Sequence, residues 1–291
     1  MRVAIIGLGG VGGYIAAAFY KAGIDVTGFA RGQHLHAIEQ KGLQIVEDDI
    51  SYNVLLPVQS TQDATQNFDV VFFCVKSYDL QASYHAIAPH ITPQTLLVPL
   101  CNGVDNGEKL RMLGASPVVD ATVHILSHIQ EPGIIRKKGS LFAVLLGAQD
   151  PQQSASVAAL FAKANLRYKI PENIQEALWK KYLFIATFAT LTAYYDKPIA
   201  AIYKEHFEET QKLLAEIACV AQHHGIDLKD EIQKVMQNAA KVPKDASTSM
   251  HLDFQNRRKT ELETLSGYIA KSNACSTPLM QKYYQELQKR A

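Results

Sequence analysis

Short apolar runs alternate with amphipathic stretches through the first half of the chain. Val3–Ile6, Asp25–Phe29, Val70–Val75, Leu96–Leu100, Val118–Val123 and Leu141–Leu146 read as strands. Their near-continuous Val, Ile, Leu and Phe content suits a sheet covered on both faces. Gly12–Ala22 and His34–Lys41 read as helices between strands, and such alternation predicts a parallel α/β sheet. Near residues 167–171 the pattern changes. Glu172–Tyr195, Glu205–His224, Asp230–Ala240 and Leu252–Ser272 carry helical periodicity, and no further strand-like run follows. The expected architecture is α/β: a parallel-sheet domain over 1–168, then an all-helical domain over 169–291.

Composition narrows the partners. The 291 residues carry 29 Lys and Arg against 28 acids, a formal charge of +1. Nucleic acid is therefore not expected as the partner, because displacing counterions needs a basic surface. The longest largely apolar stretch, Leu183 to Tyr195, is short and Thr-rich for a membrane span. A strand begins at once, with no signal peptide ahead of it. Cys74, Cys101, Cys219 and Cys275 form no C-x-x-C pair, which speaks against a zinc ribbon and fits a reducing compartment. His223 and His224 point to different sides of a helix, so no metal site is expected. The expected location is the cytoplasm.

Gly7-Leu8-Gly9-Gly10-Val11-Gly12 matches G-x-G-x-x-G directly after a strand and at the opening of a helix. That context suits a dinucleotide-binding turn and makes the first domain Rossmann-type. Gly7 permits the tight turn, Gly9 admits a pyrophosphate and Gly12 lets helix pack on strand. A glycine-rich turn without a ligand is the alternative. An NAD enzyme usually carries an acid at the end of the second strand. Here no acid stands between Val26 and Ile38, and Arg31 offers a planar fork of donors to a 2′-phosphate. NADP(H) is thus the expected cofactor, unless Arg31 is simply an exposed loop residue. Lys76 and Asn102 follow apolar strands on the side where ligands bind in open sheets, although strand-terminal turns attract such residues anyway.

Lys181 sits on the apolar side of its predicted helix. Its helical neighbours Ile174, Ala177, Leu178, Phe184, Ile185 and Phe188 are all apolar, whereas Lys180 faces Asn173, Glu176 and Thr187. Desolvation should lower the pKa of such a lysine, which suits a general acid; a snorkelling head group is the structural alternative. Glu261 shares a predicted face with Phe254, Leu265 and Tyr268, with Arg257 and Arg258 in reach. Ser247, Thr248 and Ser249 supply hydroxyls at a helix start, where capping is the plain explanation.

Together the Gly7–Gly12 turn, Arg31, Val75-Lys76, Asn102-Gly103, Trp179-x-Lys181, Thr248-Ser249-Met250, Asp253 and Thr260-Glu261 resemble the ketopantoate reductase family, 2-dehydropantoate 2-reductase, over nearly the whole chain. The resemblance implies an enzyme of pantothenate biosynthesis in which NADPH delivers hydride to the ketone of 2-dehydropantoate. It matches Lys181 to the proton-donating lysine and Lys76 to the cofactor-proximal one. Asn102 falls between cofactor and substrate, Glu261 in the active cleft against the cofactor, and Ser249 against the substrate. The same resemblance leaves room for a homodimer. Where the family usually places asparagines this chain has Ile185, Ala189 and Ile199, removing polar contacts worth about 0.5–1.5 kcal/mol each. A reductase of a different branched 2-keto acid and a non-catalytic NADP-binding protein therefore stand beside the ketopantoate reading.

Overall fold

A computed structural model describes residues 1–290. The chain divides into two compact units, Met1–Cys101 with Asp105–Ile174, and Asn102–Val104 with Gln175–Ala291.

The first unit contains strands β1 (Arg2–Ile6), β2 (Asp25–Phe29), β3 (Leu43–Glu47), β4 (Ile50–Val54), β5 (Val58–Gln59), β6 (Val70–Phe73), β7 (Leu96–Pro99), β8 (Asp120–Glu131), β9 (Ile134–Gly147) and β10 (Tyr168–Lys169). Five of them form a parallel sheet in the order β5-β2-β1-β6-β7. Alternate residues enter opposite cores, Val3, Ile5, Phe72 and Val98 on one face and Ala4, Ile6, Phe73 and Leu97 on the other. Both faces are buried, which is why these strands read as unbroken apolar runs. Helices α1 (Gly10–Lys21), α2 (Gly32–Lys41), α3 (Leu80–Ile87), α4 (Asn106–Leu113) and α5 (Pro151–Lys163) complete the unit.

Two strand runs go elsewhere than expected. Val118–Val123 and Leu141–Leu146 belong to a second, mixed sheet, in which β8 pairs antiparallel with β9 and β9 runs parallel to β3 and β10. An isolated parallel bridge from Leu97 to Val118 ties the start of that run to the first sheet. Apolar content marks a strand as buried but does not name its partner. β3 and β4 form a hairpin turning at Asp48 with φ of 47°, outside the strand runs expected from apolar content.

The second unit holds α6 (Ile174–Tyr195), α7 (Ile199–Glu205), α8 (Phe207–His223), α9 (Lys229–Ala239), α10 (Ser249–Gln255), α11 (Tyr268–Ala270) and α12 (Pro278–Gln288). Helix α6 buries three threonines, whose hydroxyls donate to carbonyls one turn back: Thr187 to Leu183, Thr190 to Ala186 and Thr192 to Phe188, at 2.6–2.8 Å. That bonding satisfies the hydroxyls inside the core. The expected helix Glu205–His224 breaks at His206, and Leu252–Ser272 breaks more widely. Arg257 takes φ of 52° and the Arg258 amide donates to the Asp253 carbonyl at 2.8 Å, a left-handed helix stop. Helical structure resumes with a π-helical turn over Glu263–Gly267. A disulfide joins Cys219 to Cys275 across a separation of 56 residues. It runs against the reducing compartment read from cysteine spacing, because only tertiary folding brings two such distant residues together. Among the described residues no helix is long and apolar enough to cross a membrane.

Candidate active site

In the first unit the glycine turn joins β1 to α1. Gly7 has φ of 94°, and its α-carbon packs so closely on the Cys74 carbonyl that a Cβ would lie 2.9 Å from it. At Gly12 a Cβ would fall 2.0 Å from the Gly7 carbonyl oxygen, and at Gly10 one would fall 2.5 Å from that of Ser127. Gly9 differs: a Cβ there meets nothing within 4 Å among the described residues. Leu8 is buried beneath the turn, Val11 is half-buried, and no side chain caps α1 at Gly9. The turn thus offers backbone N–H donors beside open space, the arrangement that binds anions at a helix start.

Arg31 precedes α2 with its side chain 86% exposed, and its guanidinium pairs with the Asp79 carboxylate at 2.6 Å. Lys76 opens a 3₁₀ turn over Ser77–Asp79 beyond β6. Arg31 and Asp79 thus meet past the carboxyl ends of β2 and β6, where open parallel sheets bind ligands.

In the second unit three of the expected residues form one chain. The Lys181 ammonium donates to Asn102 Oδ1 at 3.2 Å, and Asn102 Nδ2 donates to Glu261 Oε2 at 3.3 Å. Those two bonds fix which way the Asn102 amide faces. Glu261 is buried at 2% exposure, whereas Lys181 is half-buried. The continuous helical face predicted for Glu261 is interrupted, because α10 ends at Gln255 and Arg257 takes a left-handed φ of 52°. Lys180 instead pairs with Glu176 at 2.6 Å, half in solvent. Hydrogen bonding to that carboxylate raises its pKa. Ser249 stands exposed at the start of α10, just past the cap that Thr248 makes to the His251 amide at 3.2 Å.

Other polar groups were not singled out in the sequence. His251 is hydrogen-bonded to Ser247 Oγ at 2.6 Å and Asp196 Oδ1 at 2.7 Å. Bonds from His251 and then Gln255 hold the Asp196 carboxyl below its ordinary range. His34 touches the glycine turn itself, with Nε2 donating to the Leu8 carbonyl at 2.8 Å. A separation of 26 residues leaves no periodic signal that could have found it.

The family model described as ketopantoate reductase PanE/ApbA matches residues 3–151, and that described as its C terminal matches residues 173–291. The chain is 27% identical to the uncharacterized oxidoreductase YkpB of Bacillus subtilis, covering 99% of this chain and 98% of that protein. It is 26% identical to the 2-dehydropantoate 2-reductase of Mesorhizobium japonicum, covering 91% and 89%. A crystal structure of a PanE/ApbA family ketopantoate reductase from Ralstonia eutropha superposes with a TM-score of 0.91 at 28% identity, covering 100% of this chain and 98% of that one. The fold is also shared with a D-mandelate dehydrogenase, whose ternary structure with NADH and anilino(oxo)acetate gives a TM-score of 0.90 at 21% identity, covering 100% and 98%. With both its units matched by that family's two models, the chain is an oxidoreductase-type protein that belongs to the ketopantoate reductase family.

Proposed function

We propose that this protein reduces 2-dehydropantoate to pantoate with NADPH. The observation that carries the reading is the Lys181–Asn102–Glu261 chain, an ammonium held by an amide that is itself anchored on a buried carboxylate. The residues fit the cofactor: the turn of Gly7, Leu8, Gly9, Gly10, Val11 and Gly12 is close-packed on backbone at Gly7, Gly10 and Gly12 and opens at Gly9, where a pyrophosphate can approach, and Arg31 and Lys76 supply cations for phosphate and ribose. When bound, NADPH supplies the hydride.

The chain's own residues handle the proton. Reduction of a ketone leaves negative charge on its oxygen, and Lys181 donates a proton to that atom and regains one from solvent. Asn102 fixes the ammonium in place, and Glu261 keeps Asn102 from rotating. In this reading Ser249, exposed at the start of α10, contacts the substrate.

A second reading, reduction of a different branched 2-keto acid, draws on the next turn of α6. There Phe184 and Ile185 are half-buried and apolar, and Ala189 is buried, where the resemblance expects asparagine at 185 and 189. Ile199 is packed into the helical core.

The test is NADPH oxidation with a panel of 2-keto acids, followed by variants on the best substrate. Lys181→Ala is expected to lower turnover at least about a hundredfold, the scale of positioned proton donation, with NADPH affinity changed only a few-fold. Lys180→Ala should remain near wild type. Preference for a hydrocarbon side chain over 2-dehydropantoate selects the second reading. Equal, modest losses in both lysine variants would make Lys181 a snorkelling residue and remove it as the proton donor, whereas no NADPH oxidation with any 2-keto acid would sink the enzyme reading.

A further inference from the structure

We propose that His34 is a positioning residue for the cofactor, anchoring the Leu8–Gly9 peptide in the orientation that phosphate binding needs. The inference rests on the cofactor reading above. His34 lies near the start of α2 and makes two hydrogen bonds through its two ring nitrogens. Nε2 donates to the Leu8 carbonyl at 2.8 Å, and the Gly133 amide donates to Nδ1 at 3.0 Å. One ring can do both only as the neutral tautomer protonated on Nε2.

The first bond governs the glycine turn. Among the described residues no peptide is cis, and in a trans peptide the carbonyl and the following N–H point in opposite directions. With the Leu8 carbonyl held on His34, the Gly9 N–H points away from it. Gly9 is the glycine beside open space. A flip of this peptide, which glycine permits at little cost, would replace that donor with a carbonyl oxygen and repel a phosphate.

The second bond ties the anchor to the ribbon of β8 and β9, which braces the turn at further points. The Ser127 carbonyl packs on Gly10, Ile135 packs on Gly13, and Ala37 of α2 packs on Gly133. Protonation of Nδ1 would place an N–H against the Gly133 N–H and release this brace.

Burial lowers the pKa of His34, opposed by its bond to the Leu8 carbonyl, so the neutral form is favoured near neutrality. The surrounding charges are otherwise engaged or exposed. On α2, His36 lies 3.9 Å from Glu39, and Arg31 at its cap pairs with Asp79. On the ribbon, Arg136 donates to Gln130 at 2.6 Å, while His128 and Glu131 are exposed. Residues 7–13 of the glycine turn contain no titratable side chain.

The test measures NADPH dissociation constants for wild type, His34→Ala and His34→Gln, with thermal unfolding beside each. Gln retains a donor for the Leu8 carbonyl and does not titrate. His34→Ala is expected to weaken NADPH about two- to tenfold, the loss of one hydrogen bond, and His34→Gln to recover most of it. Unchanged affinity in a folded His34→Ala, or a His34→Gln no tighter than His34→Ala, overturns the proposal. If His34→Ala fails to fold, His34→Leu, which fills the same space without a donor, is compared with His34→Gln in its place, with the same outcomes. A wild type that binds neither NADPH nor NADH at any pH overturns the cofactor reading, and this proposal with it.

Discussion

A lysine on an apolar helical face needs something to hold its charge, and Asn102 does so for Lys181 at 3.2 Å. Its sequence neighbour Lys180 shows the contrast, since it points to Glu176 and half into solvent. One helix thus presents two adjacent ammonium groups to different environments, and only the first connects to a buried carboxylate. Arg31 presents a different balance. Its guanidinium is exposed except for the pair with Asp79, so a 2′-phosphate would have to compete with that carboxylate for the same donors. A charged hydrogen-bonded contact of this kind contributes about 1.5–3 kcal/mol, roughly ten- to a hundredfold in affinity. Titration of Arg31→Ala with NADPH and NADH is expected to lose most of the preference for NADPH, while Asp79→Asn should strengthen NADPH by freeing the fork. An Arg31→Ala preference equal to wild type would remove Arg31 from the cofactor site.

At the scale of elements, β1, the glycine turn and α1 behave as one device, because Gly12 lets the helix lie against the strand. A Cβ at Gly12 would sit 2.0 Å from the Gly7 carbonyl oxygen, and backbone cannot yield as a flexible side chain can. Gly12→Ala should therefore destabilise the first unit by at least the ~1–3 kcal/mol typical of overpacking and weaken dinucleotide binding. Thermal unfolding and cofactor titration would measure both, and a fully stable, fully binding variant would show that the turn can shift. The turn and four of the five parallel strands were legible because their signals are local: glycine spacing, and apolar runs that mean burial on both faces; β5, two half-buried residues at the sheet edge, carries no such run. The trio was half legible. Lys181 stood out against Leu178, Phe184 and Ile185, but Asn102 and Glu261 lie 159 residues apart and meet only after folding. The helix assumed around Glu261 was wrong in a physically clear way. Periodicity continues through Phe254 and Leu265, yet Arg257 adopts a left-handed conformation that ends α10.

For the molecule as a whole, the two matched units differ in kind: one a sheet with the glycine turn, the other a helical unit carrying Lys181. The helical unit also carries the chain's covalent tie. Cys219 is exposed on α8, and half-buried Cys275 lies between α11 and α12. One turn earlier on α8, Glu216 accepts from the Leu279 and Met280 amides at 2.9 Å each, so α12 is fastened to α8 twice. A disulfide closing a loop of this length stabilises by about 4 kcal/mol in the chain-entropy model, an upper figure here because the Glu216 contacts persist without it. Reductant is therefore expected to lower the midpoint of thermal unfolding of the helical unit by several degrees. The double variant Cys219→Ser with Cys275→Ser should start at the lower value and ignore reductant. The other two cysteines do not confuse the measurement. Cys101 is buried, and burial pushes the Cys74 thiol well above its ordinary range, so both resist alkylation in the folded state. Alkylation after reduction thus reports on Cys219 and Cys275. Equal unfolding midpoints with and without reductant, in a protein whose two thiols have become alkylatable, would show that Glu216 alone holds α12 in place.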